Sequence, residues 1–403
     1  MVDVYWRIGT HGDQPSLRRQ VSTRGDWSPH EAGSITPARR AGLHDGYSYL
    51  DHMADVAKAA EASGFVGGLL PSFPFTDDPF AATASLVRET RTFRFMVAYQ
   101  PGFLDPVHAA RLSASLQRAS DGRLVYNVIT GGGGPQQLWW GDTVGHDDRY
   151  ARTAEFLDAL KGSWSTTPYD LAGRFFDVQG AHLPPELAAQ PVPEIYFSGS
   201  SAAAIATAGR HADYYLSWLE PFSALEQKFA QVREESERRG TRPRFALRIE
   251  ILARPTEREA WAEIERGWAN VDPAALDFEA QGDSVGAARA RGFVTHPVRG
   301  PRDLEVEPQV WAGFHLLRGG PAFGLVGSYD QVAARLDQLV ELGADAFILA
   351  AVPHLEEAYR VGSEVLPRVS FTRTNSITGR EPSRPAAWPA TPSAPSTTVR
   401  SAS

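Results

Sequence analysis

Cysteine is absent from this 403-residue chain, and lysine occurs only three times, at Lys58, Lys161 and Lys228. Without cysteine there can be no disulfide framework, no cysteine-ligated zinc and no thiolate nucleophile. The formal net charge is -8, and no run of Lys and Arg is present. Proteins that bind nucleic acid usually carry a clustered basic patch, so a nucleic-acid partner is not expected.

Long apolar runs are also missing. No stretch approaches the roughly 18 apolar residues that a membrane span requires. The opening "MVDVYWRIGT" has neither the basic start nor the apolar centre of a secretory signal. We therefore expect a cytoplasmic protein that does not insert into a membrane.

Short apolar runs alternate with helical patterns along most of the chain. In the helical segments, such as 49–63 and 328–343, apolar residues recur at i, i+3 and i+4. The strand-like runs are 4–9, 65–70, 93–99, 123–129, 194–199, 213–219, 245–252 and 345–351. Eight strands alternating with helices predict a parallel sheet closed into a TIM (β/α)8 barrel.

Residues 1–370 are predicted to form this barrel, with two segments beyond the minimal fold. Residues 165–185 are typical of a hairpin around Ala172-Gly173, and residues 255–325 form a long late insertion. Because long insertions are more often functional than idle, we expect this one to be mobile and to serve the site. The Pro/Ser/Ala-rich residues 380–403 lack periodicity and are predicted to be a disordered tail.

Four consecutive glycines, Gly131–Gly134, follow the fourth predicted strand. A phosphate-binding P-loop would continue with Lys and Ser or Thr, whereas Pro135 and Gln136 follow here. A dinucleotide fingerprint would need glycine at position 136. Both patterns fail, so these glycines indicate either a loop on which a flat ligand lies against backbone or a flexible turn.

The active groups of a TIM barrel lie at the C-terminal ends of its strands. Read there, the sequence gives a polar and aromatic set: His11, residues 71–78, Tyr99, Gln100, Asn127, Thr130, Ser198–Ser201, Trp218, Arg248, Glu250, His354 and Tyr359. The set lacks the His/Asp/Glu spacing of a metal site, and "FSGSSA" is not a G-x-S-x-G elbow. The sequence therefore gives little support to a metallohydrolase or a serine hydrolase.

The segment "YFSGSSAAAIATAGRHAD" is better suited to an anion. Ser200 and Ser201 offer hydroxyl groups where an Ala-rich helix begins, and the free N–H groups and positive dipole end of a helix favour a phosphomonoester. The alternative is an ordinary N-capped helix with no ligand.

Six segments in matching order and spacing make the chain resemble the FMN-dependent alkanesulfonate monooxygenases of the bacterial-luciferase-like superfamily over about residues 3–370. They are "THGD" (10–13), "RLVYNVITG" (123–131), "HDDRYARTAEF" (146–156), "YFSGSS" (196–201), "LRGG" (317–320) and "PHLEEAYRVG" (353–362). The resemblance implies a TIM barrel that binds reduced FMN and uses O2 to form a flavin peroxide, which attacks a small organic substrate at the barrel mouth.

The resemblance also implies roles for individual residues. The flavin side comprises Ser200, Ser201 and Tyr150 at the phosphate, with Asn127 and Thr130 along the pocket. The substrate side comprises His11, Trp218, Arg248, Arg302 and Tyr359. We expect Arg248 and Arg302 to anchor substrate and His11 and Tyr359 to deliver protons or to hydrogen-bond the flavin peroxide, with residues 280–310 closing as a lid.

Two positions depart from that family. Thr76 stands where those enzymes have a cysteine near the flavin, and its hydroxyl can still donate to oxygen. Glu250 stands where they have a histidine, and because it lies two residues after Arg248 on a strand, both side chains should share one face. A carboxylate there would partly cancel the field that holds a sulfonate, unless it pairs with another base such as Arg7.

The resulting hypothesis is a two-component monooxygenase, a homo-oligomer, that receives reduced FMN from a separate NAD(P)H-dependent flavin reductase. The oxidation is either an alkanesulfonate C–S cleavage or a Baeyer-Villiger or hydroxylating reaction on a biosynthetic intermediate. A deazaflavin-dependent reductase and a non-catalytic flavin-binding protein are the rival hypotheses.

Overall fold

The computed structural model describes residues 1–9, 49–73, 76–131, 134–271, 292–294, 297–318 and 322–374. The strands of this part of the chain, in order, are β1 Asp3–Arg7, β2 Gly67–Leu70, β3 Arg94–Tyr99, β4 Leu124–Val128, β5 Tyr169–Ala172, β6 Asp177–Ala181, β7 Ile195–Ser198, β8 Tyr214–Trp218, β9 Arg244–Arg254, β10 Glu305–Glu307, β11 Val310–Trp311, β12 Gly324–Ser328 and β13 Ala346–Ala350.

The α-helices of the same residues are α1 Tyr49–Ala62, α2 Pro79–Leu86, α3 Pro106–Ser120, α4 Gly134–Trp139, α5 His146–Ser163, α6 Pro185–Ala188, α7 Ala202–His211, α8 Phe222–Arg238, α9 Glu257–Trp268, α10 Phe314–Arg318, α11 Tyr329–Leu342 and α12 His354–Arg360. Several begin where the sequence provides a cap. The Asp78 carboxylate accepts from the N–H groups of Phe80 and Ala81, and Thr256 and Ser328 form capping boxes.

Eight strands close the barrel, in the order β1, β2, β3, β4, β7, β8, β9 and β13, and β13 pairs back to β1. Every pairing in this ring is parallel. These strands coincide with the eight apolar runs of the sequence, so the predicted TIM barrel is confirmed. Their apolar character follows from burial on both faces, inside the barrel and under the helices.

The barrel carries two additions. β5 and β6 form a separate antiparallel hairpin. β9 is eleven residues long and extends beyond the barrel, where its residues Glu250–Arg254 pair with β12, and β11 and β10 continue that edge antiparallel. α9, a 3-10 turn at Pro301–Leu304 and α10 lie between β9 and β12 in sequence. Residues 272–291 and 375–403, which hold part of the expected lid and the expected tail, lie outside the described residues.

The N-terminal end of the barrel is filled by an ionic and aromatic layer. Tyr214 Oη donates to Asp3 Oδ2 at 3.1 Å, Arg94 lies 3.7 Å from the same carboxylate, and Glu194 pairs with Arg94 and, at 3.0 Å, with Arg244. Because this end is packed and charged, the barrel is a core rather than a pore, and the site belongs at the opposite end.

No helix in the described ranges combines the length and apolar character needed to cross a bilayer.

Candidate functional site

Parallel pairing brings several of the predicted side chains to the C-terminal end of the barrel. Asn127 lies near the end of β4, Trp218 ends β8, and Arg248 and Glu250 lie on the upper part of β9. In register, Arg248 is opposite Trp218 on one side and Ile348 on the other. The sheet therefore places the predicted substrate-side residues Trp218 and Arg248 next to each other.

The turn that follows β7 forms a compact cradle at the start of α7. Ser201 caps this ten-residue helix, and its Oγ accepts from the Ala204 N–H at 3.2 Å. The Gly199 carbonyl accepts a hydrogen bond from Tyr215 Oη on β8 at 2.6 Å, and this bond holds the turn against the barrel. The first N–H groups of an α-helix have no acceptor within the helix, so this end is open to an anion.

Tyr150 on α5 reaches the same turn. Gly199 has φ +145°, and a Cβ placed on it would lie 2.9 Å from Tyr150 Oη and 2.5 Å from Ala204 Cβ. Only glycine allows this backbone and this approach. The structure therefore brings together Tyr150, Ser200 and Ser201, the residues expected at the flavin phosphate.

Asn127 and Thr130 line the neighbouring strand end. Both are buried, with exposed fractions of 7% and 9%. Asn127 Oδ1 has no hydrogen-bond partner among the described residues. A buried carbonyl oxygen without a donor is costly unless a ligand supplies one, so this atom fits a site for a ring that carries N–H groups.

A polar network supports the backbone at Gly131, after the end of β4. Gln137 Oε1 occupies the space that a Cβ on Gly131 would need, and Gln137 Nε2 donates to Asp142. Arg152 on α5 forms a two-point ion pair with the Asp142 carboxylate, at 2.7 and 3.1 Å. This network joins Gly131 and α4 to the helix that carries Tyr150.

The Asp142 carboxylate makes the network sensitive to acid. Burial acts to raise the pKa of Asp142, but hydrogen bonds from Arg152, the Val144 N–H and Gln137 outweigh it and hold that pKa below its ordinary value of 3.8. A carboxyl group with a lowered pKa in the folded state stabilises the fold above its unfolded-state pKa, and this stabilisation disappears as the pH falls through the folded-state pKa.

Asp142→Asn is therefore expected to lower the free energy of unfolding at pH 7 by about 1–3 kcal/mol, because charge-assisted hydrogen bonds are lost. The difference between wild type and variant should shrink as the pH falls below the ordinary pKa of 3.8. Urea unfolding of both proteins from pH 7 downward measures it. A difference that stays constant down to acid pH would contradict the assignment of the charged state to Asp142.

Arg248 and Glu250 form a buried ion pair. Arg248 Nη2 lies 2.6 Å from Glu250 Oε1, and Arg248 Nη1 donates to the Ile249 carbonyl at 3.0 Å. The exposed fractions of the two residues are 6% and 1%. Burial lowers the pKa of Arg248 to about 9, which leaves the guanidinium charged at neutral pH. Glu250 thus contacts Arg248 itself, and a positive and a negative charge lie together on this strand.

Trp218 and Tyr359 are both open to solvent, with exposed fractions of 44% and 53%. Ser217 and Glu220, which flank Trp218 and Leu219 in the sequence, belong to a buried polar group that the sequence-based prediction missed. Lys228 Nζ on α8 donates to Glu220 Oε1 at 2.5 Å and to Ser217 Oγ at 3.0 Å. The available signal was a rare lysine among Leu225, Phe229 and Val232 on the apolar face of a helix, where a buried partner is required.

Thr76 lies in the loop after β2. Its hydroxyl donates to the Phe73 carbonyl and accepts from the Phe73 N–H, both at 3.1 Å. This hydroxyl closes a local turn. Its expected role beside oxygen stays a prediction.

Arg302 lies in the 3-10 turn beside α9. Its guanidinium is 3.7 Å from the centre of the Trp261 ring and 3.5 Å from the carboxylates of both Glu257 and Glu305. These contacts place it against α9 and the sheet extension. Its role with substrate stays a prediction, as do the roles of the other proposed site residues.

His11 lies outside the described residues. Within the described ranges, no group of three His, Asp or Glu side chains is placed to hold a metal ion.

Comparison with known proteins identifies the family. The model of the luciferase-like monooxygenase family matches residues 31–346, and the chain belongs to this family. The prediction of a luciferase-like barrel enzyme is thereby confirmed at the level of the family.

Solved structures with this fold include three enzymes with different named activities. A riboflavin lyase solved with modified FMN and riboflavin is 18% identical over 91% of each chain, with a TM-score of 0.70. An EDTA monooxygenase from Chelativorans sp. BNC1 is 21% identical over 91% of this chain and 92% of that one, with a TM-score of 0.67. A long-chain alkane monooxygenase is 16% identical over 91% of this chain and 90% of that one, with a TM-score of 0.68. The substrates named for these enzymes differ widely, so the fold does not specify one.

Proposed function

We propose that this enzyme is a two-component monooxygenase that uses reduced FMN and O2 to oxygenate a small organic substrate. A separate NAD(P)H-dependent flavin reductase supplies the cofactor, because no nicotinamide fingerprint is present in the sequence. The observation that carries the proposal is the cradle of Ser200, Ser201 and Tyr150 at the start of α7, held around Gly199.

The residues at this end of the barrel fit FMN. The hydroxyls of Ser200 and Ser201, the first N–H groups of α7 and Tyr150 Oη would hold the phosphate. Asn127 Oδ1 would accept from an N–H of the flavin ring, which would satisfy its buried oxygen. Reduced FMN would supply the electrons that activate O2, with one oxygen atom entering the substrate and the other leaving as water.

Other residues at the barrel mouth would act on the substrate. Trp218 and Tyr359 would bind and orient it, and the Tyr359 hydroxyl, together with His11, would donate or accept a proton. Residues 280–310 would close over the site and exclude water. We also propose that the enzyme is a homo-oligomer and that it is located in the cytoplasm.

The phosphate assignment is tested by replacing both Ser200 and Ser201 with alanine. We expect the affinity for reduced FMN to fall by about 1–3 kcal/mol, because hydrogen bonds to a charged group are lost. Reduced riboflavin lacks the phosphate, so its affinity should be almost unchanged. Anaerobic titration of both flavins gives the two affinities. Equal losses for the two ligands would remove the phosphate assignment.

The oxidation itself can take more than one form. An alkanesulfonate C–S cleavage and a Baeyer-Villiger or hydroxylating reaction both remain compatible with a reduced-flavin site. A reduced deazaflavin bound more tightly than reduced FMN would instead favour a deazaflavin-dependent reductase. Flavin binding without any substrate-dependent turnover would favour a non-catalytic flavin-binding protein.

A further inference from the structure

Both guanidinium groups expected to anchor an anionic substrate are already engaged by carboxylates. Arg248 is paired with Glu250 at 2.6 Å in a buried position. Arg302 lies 3.5 Å from each of Glu257 and Glu305 and stacks on Trp261. Within the described residues, these two arginines therefore face three carboxylates.

The same end of the barrel concentrates exposed apolar surface. Apart from Met1, every exposed large hydrophobic side chain of the described residues ends a barrel strand or lies in the segment after one. They are Phe73, Phe103, Leu138, Trp139, Trp140, Trp218 and Tyr359. Phe103 and Trp140 also stack on each other, with ring centres 5.2 Å apart. Exposed aromatic groups gathered at one face mark a surface that binds an apolar ligand.

We propose that the substrate of this enzyme is an uncharged, largely apolar organic molecule rather than a sulfonate or another anion. The inference rests on the proposed function of the barrel mouth. An anion would have to displace Glu250 from Arg248 or lie beside a buried carboxylate, and both arrangements are unfavourable. A neutral molecule leaves the ion pair intact and buries its apolar part against the aromatic side chains.

A pair of matched probes tests this. Octyl methyl sulfone and octane-1-sulfonate share an octyl chain and a sulfonyl group. The third substituent on sulfur is a neutral methyl group in the sulfone and a negatively charged oxygen in the sulfonate. With the full chain loaded with FMN, calorimetry is expected to show that the sulfone binds at least about tenfold more tightly. A sulfonate that binds equally or more tightly, or the failure of both probes to bind, would overturn the inference.

Two variants identify the cause of the preference. Glu250→Gln keeps an oxygen for Arg248 and removes the charge, and it should improve sulfonate binding by about tenfold with little effect on the sulfone. Glu234→Gln removes one charge from an exposed i,i+4 pair on α8 and should leave the ratio unchanged. An unchanged ratio in Glu250→Gln, or an equal change in Glu234→Gln, would overturn the role of the ion pair.

The FMN affinity of each preparation is measured alongside. If the wild-type chain does not bind FMN, the proposed function is refuted. Intact FMN binding with a preference for the sulfonate would refute only the inference about substrate charge.

Discussion

Glu250→Leu is expected to lower the free energy of unfolding by about 3–5 kcal/mol, because it leaves the buried Arg248 guanidinium without its carboxylate. Urea unfolding at neutral pH measures the loss. Glu250→Gln, which retains a hydrogen-bond acceptor, should lose clearly less.

The double variant Arg248→Met/Glu250→Leu separates the ion pair from general packing. Since apolar residues of similar volume can replace a buried ion pair at little cost, the double variant should recover most of the stability that Glu250→Leu loses. If the double variant lost as much free energy of unfolding as the single variants Arg248→Met and Glu250→Leu lose together, loss of the ion pair would not be the cause of the instability of Glu250→Leu.

Gly199→Ala is expected to weaken the binding of reduced FMN by up to about 2–6 kcal/mol, because backbone strain and overpacking each cost about 1–3 kcal/mol and both displace the turn that would hold the phosphate. The residue has φ +145°, and its new Cβ would lie 2.5 Å from Ala204 Cβ and 2.9 Å from Tyr150 Oη. Anaerobic titration with reduced FMN measures the change.

A second glycine provides the control. Gly240 follows α8 at the opposite end of the barrel, has φ +72°, and has nothing within 4 Å of the position that a Cβ would take. Gly240→Ala should lower stability modestly through backbone strain and leave FMN affinity unchanged. Equal effects of the two substitutions on FMN binding would show that the turn after β7 has no special role.

The barrel could be predicted because its signal is local and repeated. Each strand is a short apolar run, and each return helix carries apolar residues at helical spacing, so strand count and alternation were sufficient. The meeting of Asn127, Trp218 and Arg248 at one end then followed from parallel pairing alone. The ion pair of Arg248 with Glu250 was partly foreseeable, because two residues two apart on a strand share a face.

Other features depend on contacts between distant parts of the chain. The position of Arg302 against Trp261 depends on how α9 packs on the sheet extension, which no local pattern shows. The hydrogen bonds that the Thr76 hydroxyl forms with Phe73 likewise depend on the path of the loop after β2. The link between Asp142 and Arg152 joins the segment after α4 to α5 through side-chain geometry, so it too needed the structure.

The most direct test of the reduced-flavin oxygenase account is isotope incorporation from 18O2. The protein is combined with an NAD(P)H-dependent flavin reductase, FMN and a panel of sulfonates, sulfones and ketones, and products are read by mass spectrometry. The account predicts a product that carries one 18O atom and is formed from an uncharged member of the panel. This product should appear only when protein, reductase and FMN are all present. Absence of 18O from every product, together with substrate reduction by a reduced deazaflavin, would contradict it.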